Sequence, residues 1–298
     1  MMQSISSAQN PFIKQLQRLG ESARERRKAQ QALLEGIHLA QTCIDAGTAP
    51  QRCILAESAA AHVEIRALLA RIDPQCVVQL PDALFGKLFE LQAQVGIVLL
   101  IDIPAPRPAL RDGCAVLLED IQDPDNVGTI LRTAAAAGVD TIYLSPACAD
   151  CWSPKVLRAA MGAHFGINIV ERANLPQVAG DFAGSVIATH LAAAVSLYSL
   201  DLTGPVAIVF GNEGQGVSAD LLQQVDTRAI IPMSGRTESL NVGAAAAICL
   251  FERVRQGSVR VLLGSTAKMG TGTNVQKRLV ALHHLDAPWK PAEVEQRE

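Results

Sequence analysis

A chain of 298 residues, 49% hydrophobic and 18% charged, has the composition of a folded protein long enough for two cores, which excludes a disordered or fibrous chain. Apolar runs such as 97–101 are too short to cross a bilayer, and the opening Met-Met-Gln-Ser-Ile-Ser-Ser lacks the basic and then apolar order of a secretory signal. A cytoplasmic location with no membrane partner is expected, and the net charge of -3 means that any nucleic-acid surface has to be local.

Residues 1–101 read as a compact α/β unit. They open with a basic helical stretch in which Lys14, Arg18, Arg24, Arg26, Arg27 and Lys28 stand against only Glu21 and Glu25. This is a candidate phosphate-contacting face, although its charge alone fits a solvated helix equally well. Short apolar runs at 53–56, 77–80 and 97–101 then alternate with a helical pattern over 58–70. Residues 102–113 carry Pro104, Pro106 and Pro108 among small residues, which favours an extended spacer and places the domain boundary there.

Beyond the spacer, residues 114–256 form the second unit. Strand-like runs at 115–118, 141–144, 167–170, 186–189, 206–210 and 229–231 alternate with helical segments, the pattern of a mostly parallel sheet with helices on both faces. Ligands bind such sheets where loops leave the carboxyl ends of the strands. Seven cysteines scattered along the chain fit reduced, buried thiols. Cys148 and Cys151 form a C-x-x-C pair with no second pair and no His series to complete a zinc site, so no metal is expected.

Three segments at strand ends are richer in glycine and polar residues than a plain connection needs. In the first, Asp125 or Asn126 can cap a helix, Gly128 allows another backbone to come close, and Arg132 projects from the helix. Asn126 and Arg132, six residues apart, meet only if Asn126 stands in the loop before that helix. The second segment is a buried strand emptying through Phe210 into Gly211-Asn212-Glu213-Gly214-Gln-Gly216, a loop able to present bare backbone groups to a ligand. It is neither a dinucleotide fingerprint nor a Walker A loop. The third runs from Ile231 through Met233, Ser239, Leu240 and Asn241 into an alanine-rich helix over 243–251, whose small residues permit tight packing.

In this order and at these spacings, the three segments resemble the signature motifs of the SpoU/TrmH branch of the SPOUT methyltransferases. Asn10-Pro-Phe-Ile-Lys14, the basic helix and Leu34-Glu35-Gly36 resemble that family's ribosomal-protein-like (L30e-like) RNA-binding domain. The resemblance implies an α/β chain with a trefoil-knotted SPOUT domain behind that small domain. It implies an S-adenosylmethionine-dependent RNA 2'-O-ribose methyltransferase working as a homodimer, on ribosomal RNA more than on transfer RNA. By the same resemblance, Phe210, Gly211, Asn212, Gly214, Gly216, Ile231, Met233, Ser239 and Leu240 would hold the methyl donor, with its methionine end near Asn241. Arg132, Asn126, Glu213 and Asn241 would be the catalytic set, Arg132 reaching the ribose hydroxyl in a site shared between two subunits. A guanidinium has a pKa above roughly 12, so Arg132 is read as a charge that lowers the pKa of the attacking hydroxyl and fixes a phosphate, not as a literal base.

Gly243 departs from the pattern, since many relatives carry Ser or another small polar residue there. The rival reading is a non-catalytic RNA-binding protein that keeps this fold. Residues 257–298, with Gly-Thr-Asn274-Val-Gln276, resemble a late fragment of a superfamily-two helicase without its ATP-binding motif. This tail is expected to be loosely ordered and outside the activity.

Overall fold

The computed structural model describes residues 3–89, 96–108, 112–235 and 238–267, with side chains as far as residue 258. Contacts gather residues 1–253 into one compact unit and 254–298 into another. Two sheets lie within the first, on either side of residues 103–113 in the chain.

The first sheet has five strands: β1 (Gln3–Ser4), β2 (Gln31–Glu35), β3 (Arg52–Ala56), β4 (Val77–Leu80) and β5 (Ile97–Asp102), in the order β1-β4-β3-β5-β2. β3 runs parallel to β4, and β5 runs antiparallel to both β2 and β3. Three of these strands coincide with the apolar runs read from the sequence. The helix expected over 58–70 is instead a 3-10 turn at Ser58–Ala61 followed by α4 (Val63–Leu69), because His62 takes an extended backbone between them.

The basic stretch is two helices and not one. In α1 (Pro11–Glu21), Pro11 occupies the first turn, the Asn10 side chain accepts a hydrogen bond from Phe12 N, and Ile13, Leu16 and Leu19 are buried along one face. Ser22 then takes an extended conformation and its hydroxyl accepts from Glu25 N, starting α2 (Ala23–Ala29). The break turns Arg26 inward. Its Nε and Nη2 grip Asp150 at 2.8 and 2.7 Å while Nη1 donates to the carbonyls of Leu19 and Gly20 in the last turn of α1. Arg26 is 4% exposed. Its assignment as an RNA contact is therefore corrected, because the guanidinium is fully engaged inside the protein; Lys14, Arg18, Arg24, Arg27 and Lys28 are exposed.

The second sheet has seven strands, all paired in parallel. They are β6 (Cys114–Leu118), β7 (Thr141–Leu144), β8 (Asn168–Val170), β9 (Ser185–Thr189), β10 (Val195–Ser196), β11 (Val206–Phe210) and β12 (Thr227–Ile230), in the order β10-β12-β9-β11-β6-β7-β8. β11 enters between β9 and β6, both laid down earlier, and all five of its residues are buried, as a central parallel strand requires. One face of the sheet packs Leu117, Tyr143, Val186 and Val209 against Leu175 and Ala179 of α8 (Leu175–Asp181) and Leu221 of α9 (Ala219–Leu222).

Three further helices complete this part: α6 (Pro124–Ala136), α7 (Pro154–Ala160) and α10 (Val242–Ala267). α6 and α7 touch through glycine: a Cβ on Gly128 would fall 2.4 Å from Ala159 Cβ and 3.0 Å from Val156 O. α10 runs past residue 257, so the first part of the tail expected to be loose is helical; residues 268–298, with the rest of the helicase-like motif, lie outside the described residues. Among the described residues no helix is long and apolar enough to cross a membrane.

Candidate active site

Because the strands run parallel, the loops that follow β9, β11 and β12 leave the sheet at one edge. The loop after β11 is folded on itself. Asn212 Nδ2 donates to Asp120 O at 2.8 Å, its Oδ1 accepts from Gly214 N and Gln215 N, and its carbonyl accepts from Gly216 N at 2.8 Å. Gly211 has no room for a side chain, since a Cβ would lie 2.3 Å from Gly216 C, and Gly216 itself stands at φ +72. The Ser218 hydroxyl and N–H both donate to the Glu119 carboxylate at 2.6 and 2.7 Å, tying the far end of the loop to the end of β6.

This loop, residues 189–192 at the end of β9, residues 229–231 with Met233 at the end of β12, and residues 239–242 with Ala245 enclose a cavity of about 550 Å3. Phe210, Gly211, Asn212, Gly214, Gly216, Ile231, Met233, Ser239 and Leu240, all nine residues expected at the donor site, line it, as do Glu213 and Asn241. Thr189, His190, Leu191 and Ala192 also line it and carry no motif. Their only signal in the sequence is that they end or follow an expected strand, and the adjacency of β9 to β11 that makes them a wall is a tertiary fact.

Asn126 and Arg132 are not in that lining. Asp123 caps α6 by accepting from Asp125 N at 3.0 Å, and Pro124 opens the first turn, so Asn126 lies inside the helix and not in the loop before it. The condition under which Asn126 and Arg132 would meet is not fulfilled. Asn126 is nearly buried at 9% exposure and joins the cavity from behind: Asn241 Nδ2 donates to its Oδ1 at 2.9 Å, and its Nδ2 donates to Glu213 Oε1 at 2.9 Å. Asn241 Oδ1 accepts from Gly243 N and Ala244 N, capping α10. A Cβ at Gly243 would lie 3.1 Å from that oxygen and 3.2 Å from Thr129 Cγ2, a tight fit that a side chain could take only if these neighbours shifted slightly.

Arg132 is exposed on the other side of α6. Its side chain makes no ion pair or hydrogen bond with another described residue, and it lines a separate hollow with Thr42, Asp45, Met161 and Phe165. Of the C-x-x-C pair, Cys148 Sγ donates to Leu118 O at 3.2 Å and Cys151 is fully buried; burial raises both thiols above the ordinary range. Among the described residues no group of three His, Cys, Asp or Glu side chains is placed to hold a metal.

The profile of the SpoU rRNA Methylase family matches residues 113–251, and that of the MRM3-like substrate binding domain matches residues 10–97. A protein of Synechocystis sp. described as an uncharacterized tRNA/rRNA methyltransferase is 35% identical, the alignment covering 85% of this chain and 94% of the relative. The 23S rRNA (guanosine(2553)-2'-O)-methyltransferase of Bacillus subtilis is 31% identical over 84% of this chain and 98% of its own length. Among solved structures, the AdoMet-bound rRNA methyltransferase of Sinorhizobium meliloti superposes with a TM-score of 0.74 at 27% identity, covering 85% of this chain and 98% of that one.

Proposed function

The chain belongs to the SpoU rRNA methylase family and is an S-adenosylmethionine-dependent rRNA 2'-O-ribose methyltransferase, and on that premise we propose how its residues divide the work. The observation that carries the assignment is that two successive loops, 210–216 and the one that brings Ile231, Met233 and 239–241, line one cavity closed from behind by the Asn241, Asn126 and Glu213 chain.

The cavity fits the donor. Its volume falls within the roughly 300–1,000 Å3 of small-molecule sites, and glycines bring bare backbone to its wall. The main chains of Met233 and Leu240 enter no hydrogen bond with another described residue, leaving their polar groups for a ligand read through its backbone contacts. We propose that these two segments form the trefoil knot. S-adenosylmethionine supplies an electrophilic methyl group on a sulfonium. Asn241, with both ends of its amide engaged, is a fixed feature of the wall, and Asn126 holds it and Glu213 in register. Arg132 brings a permanent positive charge to the ribose, lowering the pKa of the 2'-hydroxyl and holding a phosphate, while the proton passes to phosphate or water. Since Arg132 opens away from its own chain's cavity, the reading places it in the site of a second copy, which makes the working unit a homodimer.

Lys14, Arg18, Arg24, Arg27 and Lys28 give residues 1–101 a cationic surface for RNA phosphates, and residues 114–256 carry the chemistry. The Bacillus subtilis relative acts on a guanosine of 23S rRNA, and a guanosine is the proposed target here, in the cytoplasm. Residues 257–298, with their helicase-like sequence, stand outside this activity; a chain cut after residue 256 is expected to keep full methyl transfer, and loss of turnover on that cut would bring the tail into the enzyme. The assignment is tested with labelled S-adenosylmethionine and unmodified rRNA. Label is expected on a ribose 2'-oxygen, and Arg132→Ala should abolish transfer while donor binding by calorimetry stays intact. Label on a base, or full activity in the variant, contradicts it.

A further inference from the structure

The hollow beside Arg132 is walled by both halves of the compact unit. The last turn of α3 (Ile37–Asp45) supplies Thr42 and Asp45, α6 supplies Arg132 and Ala135, and the turn after α7 supplies Met161 and Phe165, around a space of about 440 Å3. The walls are held firmly against each other. Gly162 stands at φ +84, and a Cβ there would lie 2.6 Å from Thr42 Cγ2, so the turn after α7 is pressed onto α3.

Three unlike surfaces meet in this space. Arg132 offers a guanidinium with no partner among the described residues. Phe165 is half-buried and offers a ring, flanked by Met161 at 40% exposure. Asp45 Oδ1 accepts from Arg71 Nη1 at 2.8 Å and from Gln41 Nε2 at 2.7 Å, so the cation of Arg71 offsets the carboxylate's charge and Oδ2 is left to accept. A cation, a flat apolar face and a neutralised acceptor match the phosphate, the base face and the base edge of a nucleotide. A base in a duplex is already stacked on both faces, so the fit is to an unpaired one.

We infer that this hollow receives one unpaired nucleotide of the RNA, its base stacked on Phe165 and its phosphate on Arg132, which makes Phe165 an RNA-positioning residue. The identity of the RNA as the methylation substrate rests on the reading given above; the stacking itself does not. Asp45 Oδ2 would then accept from an N–H group on the base edge.

The test is filter binding of an unmodified large-subunit rRNA transcript to the full chain and to Phe165→Ala, Phe165→Leu and Phe165→Tyr, with thermal midpoints and donor affinity measured on each. Loss of one base–aromatic stack weakens binding by roughly tenfold or more, so Phe165→Ala and Phe165→Leu are expected to lose that much and Phe165→Tyr to recover it. The dependence of log Kd on log salt should be the same in all four, because no phosphate contact is removed, whereas Arg132→Gln should lower that slope by about one contact. Unchanged RNA affinity in Phe165→Ala overturns the proposal, as does a Tyr variant that falls as far as the Leu variant. If the Ala variant does not fold, the Leu and Tyr pair decides. Methyl transfer is scored on the same preparations. A wild-type chain that transfers nothing but binds RNA through Phe165 removes the methyltransferase reading and leaves this one standing.

Discussion

At the scale of single residues, the molecule keeps several polar side chains buried for reasons that have nothing to do with its cavity. His164 is the clearest. Its Nε2 lies 2.8 Å from Cys151 O, its Nδ1 has no partner, and its ring packs on Trp152 with centroids 4.8 Å apart. Burial lowers its pKa from the ordinary 6.5 to about 4. The folded chain therefore binds fewer protons at this site than the unfolded one, so the contribution of neutral His164 is complete above pH 6.5 and is lost as pH falls toward 4. The size is about 3 kcal/mol. Denaturant unfolding followed over that window should show a steeper loss in the wild type than in His164→Asn, and equal slopes would contradict it. Glu171, raised above its usual value by partial burial and then by the Asp150 charge, acts in the opposite sense, which is why the difference between the two proteins is the informative quantity. The candidate residues at the cavity were legible because their motifs are local. Arg26 was misread because a charge in a basic run says nothing about Asp150, far along the chain, that takes it inward.

At the scale of elements, glycine sets how closely they approach. Gly128 was legible as a point of close contact, and the contact is α7: Gly128→Ala forces a Cβ onto Ala159 and the Val156 carbonyl. Overpacking of this kind costs about 1–3 kcal/mol. The variant is expected to lower the thermal midpoint and, by shifting Asn126 two residues away, to reduce turnover more than donor affinity; a midpoint equal to wild type would show that the helices can part freely. Six of the seven strands of the second sheet were legible as apolar runs, and their parallel pairing followed from their alternation with helices, whereas β10, two residues long, is too short to leave such a run. β2 was not read, because the run after α2 has no alternation to separate it from the helix before it. The split of the basic stretch has a local signal in Ser22 with Glu25 three residues later, the pattern of a helix start. The residues after β9 had none, since their place in the cavity depends on which strands become neighbours.

At the scale of the whole molecule, two ion pairs join the region of the first sheet to that of the second. Arg158 meets Glu35 at 3.2 Å and is partly exposed, so it contributes little. Arg26 with Asp150 is buried on both sides, and removing one partner leaves the other charge without compensation. Arg26→Ala is expected to destabilise the chain by about 3–5 kcal/mol without changing the salt dependence of RNA binding. A change in that slope would return Arg26 to the RNA surface. The same scale holds the central claim, that the donor cavity of one chain works with Arg132 of another. Arg132→Ala removes the charge and keeps the cavity; Met233→Trp fills the cavity and keeps the charge. Each variant alone should be inactive on rRNA. Mixed and allowed to exchange subunits, they form pairs in which one site has both parts intact, and methyl transfer should return to roughly a quarter of the wild-type rate. A mixture as inactive as its components would contradict the shared site, and activity in the Arg132→Ala variant alone would remove Arg132 from the reaction.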